Sequence, residues 1–344
     1  MWLSAELPGS EGALHASADD FAVAEILPYA PCGEGEHLFI EIEKRDLTTP
    51  EAARRIAEAA GLQSHAVAYA GLKDKDAIAR QWFSIPLALR SQLPDLSRAE
   101  SAELRVLGHC RHRHKLKRGH TRANRFSIAV REVPPGGIDR AKKILELLSK
   151  TGVPNAFGPQ RFGRDAGNVS SALAILRGDE TPPKDKRIRT LLMSSVQSEI
   201  FNRVLALRIA RGLFTSALLG DVMQKHDTGG LFEVADPLAE QPRVDALQIS
   251  PTAALPGKKY RRASGPAQAI EDEALHTLEL TASELAKLGD GTRRVLRYPL
   301  DPEAKIDAID DDAYRISFTL PSGAYATVLL AELVKPPRGA LLRS

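Results

Sequence analysis

The sequence predicts an α+β fold: a largely antiparallel sheet in a domain interrupted by a mostly helical insertion. Three observations carry that reading. Period-two apolar alternations crowd the first third of the chain, with single helical stretches between them. From about Asn155 the patterning turns helical. Alternation then returns in "AYRISFTLP", Ala313–Pro321. The boundaries this implies are 1–154 and 300–344 for the two parts of the sheet domain and 155–299 for the insertion.

Taken in order, "DFAVAEI" (Asp20–Ile26) and "HLFIEIEK" (His37–Lys44) alternate as half-buried strands do, joined by the turn-rich "PCGEGE". "TTPEAARRIAEAAG" carries the signals of a capped helix. Thr48 or Thr49 caps it, Pro50 takes the first helical position, Glu51 sits at the positive end and Gly61 stops it. "AVAYA" and "RQWFSIPL" read as strands. So do "ELRVLGHCRHRHKL" and "RFSIAVREV", split by "KRGHTRAN". "IDRAKKILELLSKTG" is helical. Further on, "NVSSALAILRGD", "RTLLMSSVQSEIFNRVLALRIARG" and "QAIEDEALHTLELTASELAKLG" read as helices with Gly/Pro-rich connectors. The final strand Ala313–Pro321 leads into the helix "SGAYATVLLAELV", capped by Ser322. That strand and helix are expected to complete an edge of the N-terminal sheet. The tail "KPPRGALLRS" reads as loose. No internal repeat is visible.

A chain of 344 residues with 43% hydrophobic residues can bury a sizeable core. The two cysteines, Cys32 and Cys110, sit in unlike contexts, so a disulfide framework is not expected. The N-terminus lacks the cationic and apolar regions of a signal peptide, and no apolar run reaches the ~20 residues that cross a bilayer. A cytoplasmic protein without membrane contact is the expectation.

Net charge is only +3, but its distribution is uneven. From His109 to Arg125 the chain holds seven Lys/Arg, four His and no acid. On a strand, Arg111, Arg113, Lys115 and Lys117 would share one face. Such a face, with Arg118 and Arg122 beside it, suits a phosphate backbone. The plainer reading is a solvated edge guarded by cations. Cys110, His112 and His114 are also spaced two apart, yet a structural zinc needs a fourth ligand and the flanking arginines repel a divalent cation. No metal site is expected.

"YAGLKDKDAIARQWFS" places Asp74 and Asp76 between Lys73 and Lys75 on a glycine turn. The lysines favour ionised Asp74, fitting a nucleophile or base rather than an acid. Asp76, two residues on, is a poor partner for two-carboxylate chemistry. Alternatively, Asp74 bonds its own backbone in the turn. "NAFGPQRFG" sets Phe157, Gln160, Arg161 and Phe162 between glycines, where amide and guanidinium can bond a base edge or phosphate and rings can stack; the same loop can equally be anchored by its two Phe. Phe21, Asn124 beside Phe126, and Tyr325 are further candidates.

"DDFAVAEI", "GEGEHLFIEIEK", "AGLKDKDA", "RHKLKRGHTRANRF", "GVPNAFGPQRFGRDAGN", "ALPG" and "LPSGAYATVLLAEL" occur in this order. Together they resemble the tRNA pseudouridine synthase D family, TruD, over essentially the whole chain, about Ala13 to Val334. The G-x-KD-K and N-x-FG-x-QRFG blocks are the specific parts. The resemblance implies a pseudouridine-synthase-like sheet domain interrupted by a helical TRUD insertion. It implies isomerisation of a tRNA uridine, by family analogy uridine 13 in the D-arm, with catalytic Asp74 and base contacts from Phe21, Asn124 and Tyr325. Lys73, Gln160, Arg161 and Phe162 are placed beside substrate. Arg111, Arg113, Lys115, Lys117, Arg118 and Arg122 are placed on the RNA backbone. No cofactor or metal is implied, and a monomer is expected. Tyr325 stands where members commonly carry Phe, Asp76 where many have His, and "RAN" replaces a commoner "KGN", which stiffens the loop before Asn124. Two other classes share the basic groove: a non-catalytic tRNA-binding or chaperone protein, and a ribosome- or protein-associated structural factor.

Overall fold

The computed structural model describes residues 2–14, 17–87, 92–163 and 167–335. The first part of the chain runs β1 (Phe21–Ile26), β2 (His37–Arg45), α1 (Thr49–Ala59), β3 (Ile78–Pro86), β4 (Leu104–His112), β5 (Ala123–Arg131) and α2 (Gly137–Thr151). Next come α3 (Gly167–Arg177), α4 (Lys186–Ala210), β6 (Val222–Lys225), β7 (Leu231–Glu233), α5 (Pro237–Asp245), β8 (Ile249–Leu255), α6 (Gly265–His276), α7 (Ala282–Lys287) and β9 (Thr292–Val295). The last elements are β10 (Lys305–Asp310), β11 (Ala313–Pro321) and α8 (Ala326–Val334). The tail expected to be loose lies outside the described residues from 336 onward.

The main sheet has the order β10-β11-β5-β1-β3-β2-β4. Every neighbouring pair is antiparallel except β1 with β3. The C-terminal strand therefore does join the N-terminal sheet, beside β5, with β10 outside it. Two apolar clusters cover the sheet. Leu38, Ile40 and Ile42 of β2 and Phe83 of β3 pack on Ala53, Ile56 and Ala57 of α1. Phe21 and Val23 of β1, Ile128 of β5 and Ile316 and Phe318 of β11 pack with Ile144 and Leu148 of α2 and Leu329 and Leu333 of α8. Alternation is the cause: on β2 the even positions from Leu38 to Lys44 are buried, while Glu41, Glu43 and Arg45 are partly open to solvent. Helix α1 begins as expected, with the Thr48 side chain accepting from the Glu51 amide.

β1 and β3 stay paired only over Ala22–Ala24 with Ile78–Arg80. Beyond Arg80 the edge of β3 is taken by Ala68–Tyr69. "AVAYA" is thus only two residues of strand, and the loop after it sits where β1 and β3 part.

The helical stretch after Asn155 is present, and one long segment proves to be two helices. A turn through Glu279, whose φ is +52°, separates α6 from α7. This region also contains a small antiparallel sheet, β7-β6-β8-β9, that the patterning did not announce. α4 and α6 pack on it through Phe201, Val204, Ala253 and Ile270. The chain leaves and returns side by side: Val153–Pro154 pairs with Arg297–Tyr298. Arg297 locks that junction from inside, donating to the Thr151 carbonyl at 2.5 Å and the Val244 carbonyl at 2.6 Å. Ser322 does not cap α8. It lies in a turn with Gly323, whose φ is +84°, its amide donates to the Arg122 carbonyl, and Tyr325 takes the cap position without a side-chain cap bond.

Candidate active site

The loop Gly71–Asp76 is tied to the sheet by buried polar side chains. Gln81 of β3 donates its amide to the Gly71 carbonyl at 2.6 Å. Thr49 accepts from the Lys73 amide at 3.0 Å and donates to Gln81 at 3.0 Å. Lys44 of β2, fully buried, donates from Nζ to the Asp74 carbonyl at 2.6 Å. Glu25 of β1 accepts from Lys73 Nζ at 3.2 Å, the Trp82 amide at 3.1 Å and the Thr121 hydroxyl at 2.8 Å. Its carboxylate therefore fills the ladder position that β1 vacates as it parts from β3. Burial pushes the Lys44 amine down to about 8, against the pull of the Asp74 carboxylate.

Asp74 itself is exposed, and its carboxylate has no hydrogen bond or ion pair among the described residues. The main chain is fixed and the functional group is free. Lys73, expected to hold Asp74 charged or to touch phosphate, is committed to Glu25 with its side chain only 10% exposed. Asp76 is exposed.

Asn124 is the cross-strand neighbour of Glu25 and of Leu320. Its amide oxygen is buried without a partner. Unsatisfied buried acceptors are uncommon and costly, so this one marks a place for a donor. Phe21, read as a base contact, is 6% exposed and packs edge-on to Phe126 at 6.1 Å in the core. The inward register that buries Glu25 and Val23 also buries Phe21.

The basic run divides. β4 ends at His112, so Arg113, Lys115 and Lys117 share no strand face with Arg111. His112 turns inward and stacks on Tyr29 at 4.9 Å. Arg111 donates to the Gly35 carbonyl at 3.2 Å, and Arg113 pairs with Glu34. Lys115, Lys117, Arg118 and Arg122 are exposed and have no ion pair among the described residues. Their loop is pinned by buried Leu116, whose amide donates to Ser84 Oγ at 3.0 Å, and by the Gly119 amide on the Ala70 carbonyl at 2.8 Å. It thus abuts the segment leading to Asp74. Lys115, Lys117 and Arg118 rim a groove of about 620 Å³ against Tyr69, His65 and Pro50.

The "NAFGPQRFG" segment forms a short turn of helix at Pro159–Phe162. Gln160 is exposed and Phe162 half-buried. Arg161 donates to Ser198 of α4 at 3.1 Å, and its guanidinium lies 5.7 Å from the Phe157 ring. Phe157 meets Tyr325 edge-on at 6.0 Å, and the Arg294 guanidinium lies over the Phe157 ring, 4.3 Å from its centroid. Gly158 allows that approach: a Cβ there would come within 2.9 Å of Thr327 and 3.1 Å of the Tyr325 ring. Tyr325 therefore joins the start of α8 to the segment that follows Asn155. A continuous path runs from the Asp74 loop through Glu25, Thr121, Arg122 and Ser322 to Tyr325, Phe157 and Arg161.

Sequence reasoning missed Lys44, Glu25, Gln81 and Thr49. Register was the available signal for three of them. Lys44 falls on the parity of Leu38, Ile40 and Ile42, Glu25 on that of Phe21 and Val23, and Gln81 on that of Ala79 and Phe83.

Comparison with known proteins places this arrangement in context. A sequence model of the family described as "tRNA pseudouridine synthase D (TruD)" matches residues 1–181 and 184–333. A protein named tRNA pseudouridine synthase D from Anaeromyxobacter dehalogenans is 43% identical, the match covering 97% of this chain and 96% of that one. Its namesake from Thermus thermophilus is 40% identical over 97% of this chain and 92% of its own. A Methanosarcina mazei crystal structure assigned to TruD superposes with a TM-score of 0.75 at 23% identity, covering 97% and 96% of the two chains, which shows a shared fold.

Proposed function

This chain belongs to the tRNA pseudouridine synthase D family, and on that premise we propose that it isomerises one uridine of tRNA, uridine 13 in the D-arm, with Asp74 as the single catalytic carboxylate. The observation that carries the proposal is the Asp74 loop: an exposed carboxylate on a main chain held by Lys44, Thr49, Gln81 and the Lys73–Glu25 pair.

The chemistry asks for little else. The C1′–N1 bond breaks, the uracil turns, C5 bonds to C1′, the C5 proton leaves to solvent and N1 takes up a proton. No electrons are gained or lost overall. One carboxylate suffices, by attack at C1′ or by removing the C2′ proton on the way to a glycal. A uridine in folded tRNA must first leave its stack, at a cost of a few kcal/mol, and stacking on an aromatic ring returns about 1–3 kcal/mol per base. Tyr325, half-buried and edge-on to Phe157, is the stacking candidate the geometry favours; Phe21 packs against Phe126 in the core. The orphaned amide oxygen of Asn124 suits the N3–H of uracil, which cytosine lacks; a mismatched base would leave it unpaired. Lys115, Lys117, Arg118 and Arg122 take the phosphates, with Gln160, Arg161 and Phe162 on the insertion side. Residues 155–299 are the insertion, departing and returning at the paired strands 153–154 and 297–298.

Carbodiimide primer-extension mapping of tRNA from cells with and without this protein tests the proposal. One modified uridine in the D-arm should disappear without it. An unchanged pseudouridine map would refute the enzyme reading.

A further inference from the structure

We propose that Lys44 is a positioning residue for the reaction: its buried ammonium holds the main chain of Asp74 and so sets where the carboxylate meets the sugar. The inference rests on Asp74 being the catalytic group. Lys44 occupies the last inward position of β2, with Ala79 of β3 and Leu104 of β4 as its cross-strand neighbours. Neither can pair with an ammonium. It is fully buried, and its hydrogen bond goes to the Asp74 carbonyl at 2.6 Å. The charges that bear on it come from the loop and the strand end. Asp74, Asp46 and Asp76 favour its charge, and Lys73 opposes it. All three acids are exposed, and among the described residues no buried carboxylate pairs with it.

A desolvated lysine of this kind weakens the fold relative to an apolar side chain of the same length. Stability alone gives no reason for it. Position does. Gln81 holds the loop at Gly71 and Thr49 holds it at Lys73, but at residue 74 the main-chain tie is Lys44. Misplacing a reacting group by about 1 Å costs about 100-fold in rate.

The buried amine titrates near 8, below the usual lysine range, which gives the role a signature. A base whose folded value is lowered binds fewer protons when folded, so across the window from about 8 to the unfolded value its contribution to stability rises with pH. Over the same window the ammonium is lost and turnover should fall. Stability and activity move in opposite directions.

The test compares Lys44→Met and Asp74→Asn with the parent protein for single-turnover isomerisation of tRNA, tRNA affinity and melting temperature. Lys44→Met is expected to lose about 10–100-fold in rate, keep its tRNA affinity within about threefold and melt no lower than the parent. A rate within about threefold of the parent would overturn the proposal. Should the variant not fold, pH profiles decide. The parent rate should fall about tenfold per unit above the Lys44 value, and Lys44→Arg, which stays charged, should lack that limb. Identical profiles would overturn the role. If Asp74→Asn stays active, the catalytic reading itself fails; if it is dead while Lys44→Met is fully active, only the Lys44 role fails.

Discussion

Two neighbouring loops solve opposite problems. Residues 70–77 and 113–122 touch through the Gly119 amide and the Ala70 carbonyl. The first keeps its charged supports inside, where Lys44, Glu25 and Lys73 are nearly or fully buried, and shows solvent a carboxylate unpaired among the described residues. The second hides one leucine, Leu116, and shows solvent Lys115, Lys117, Arg118 and Arg122. Bond making needs a group held to a fraction of an ångström. Gripping a polyanion needs only charge in roughly the right place. Substitutions in the two loops should therefore fail in different ways.

The largest effect is expected at Asp74. Asp74→Asn should lower single-turnover product formation by about a thousandfold or more, with tRNA affinity within about twofold. Matched losses of rate and affinity would erase the contrast between the loops. Next is Glu25→Gln, which leaves the Lys73 ammonium short of its counter-charge. Chemical unfolding should show a loss of about 3–5 kcal/mol, the cost of an uncompensated buried charge. A change below about 1 kcal/mol would mean that Lys73 finds solvent instead. Third, replacing Lys115, Lys117 and Arg118 together by Ala should weaken tRNA binding and reduce the slope of log affinity against log salt by about 2–3 units, some 0.7–0.9 per phosphate lost. The rate at saturating tRNA should hold. The finest distinction is Arg161→Ala, expected to cost about tenfold in initial rate, against Asp76→Ala, expected within about twofold. Equal losses would contradict that ranking.

Much of this was legible in the sequence, and the gaps have physical causes. Alternation located the five N-terminal strands and Ala313–Pro321, and cap chemistry located the start of α1 at Thr48 or Thr49, because half-buried strands and solvent-facing helix ends write periodic and local signals. β6 to β9 stayed hidden: three to seven residues each, with Pro251 inside β8 and six of its seven positions buried, they carry no alternation. Register errors followed from assuming that a strand continues. The basic face was expected to run past His112, where the chain in fact bends away. Asp74 stood out as a candidate through the charges flanking it, and its expected role came from the family resemblance. Its supports did not stand out, since a lysine ending "HLFIEIEK" reads as a solvent residue unless its parity is counted against Leu38, Ile40 and Ile42. Parity also accounts for the burial of Phe21, which the strand reading alone did not weigh.

The account turns on whether the free carboxylate of the first loop performs the isomerisation while the second loop merely holds the RNA. Release of tritium from C5 of uridine-labelled tRNA measures this directly, since C5 gives up its hydrogen when it bonds to C1′. The parent protein should release the label of one uridine per tRNA, and Asp74→Asn, saturated with the same tRNA, should release none. Release by Asp74→Asn at the parent rate would contradict the account.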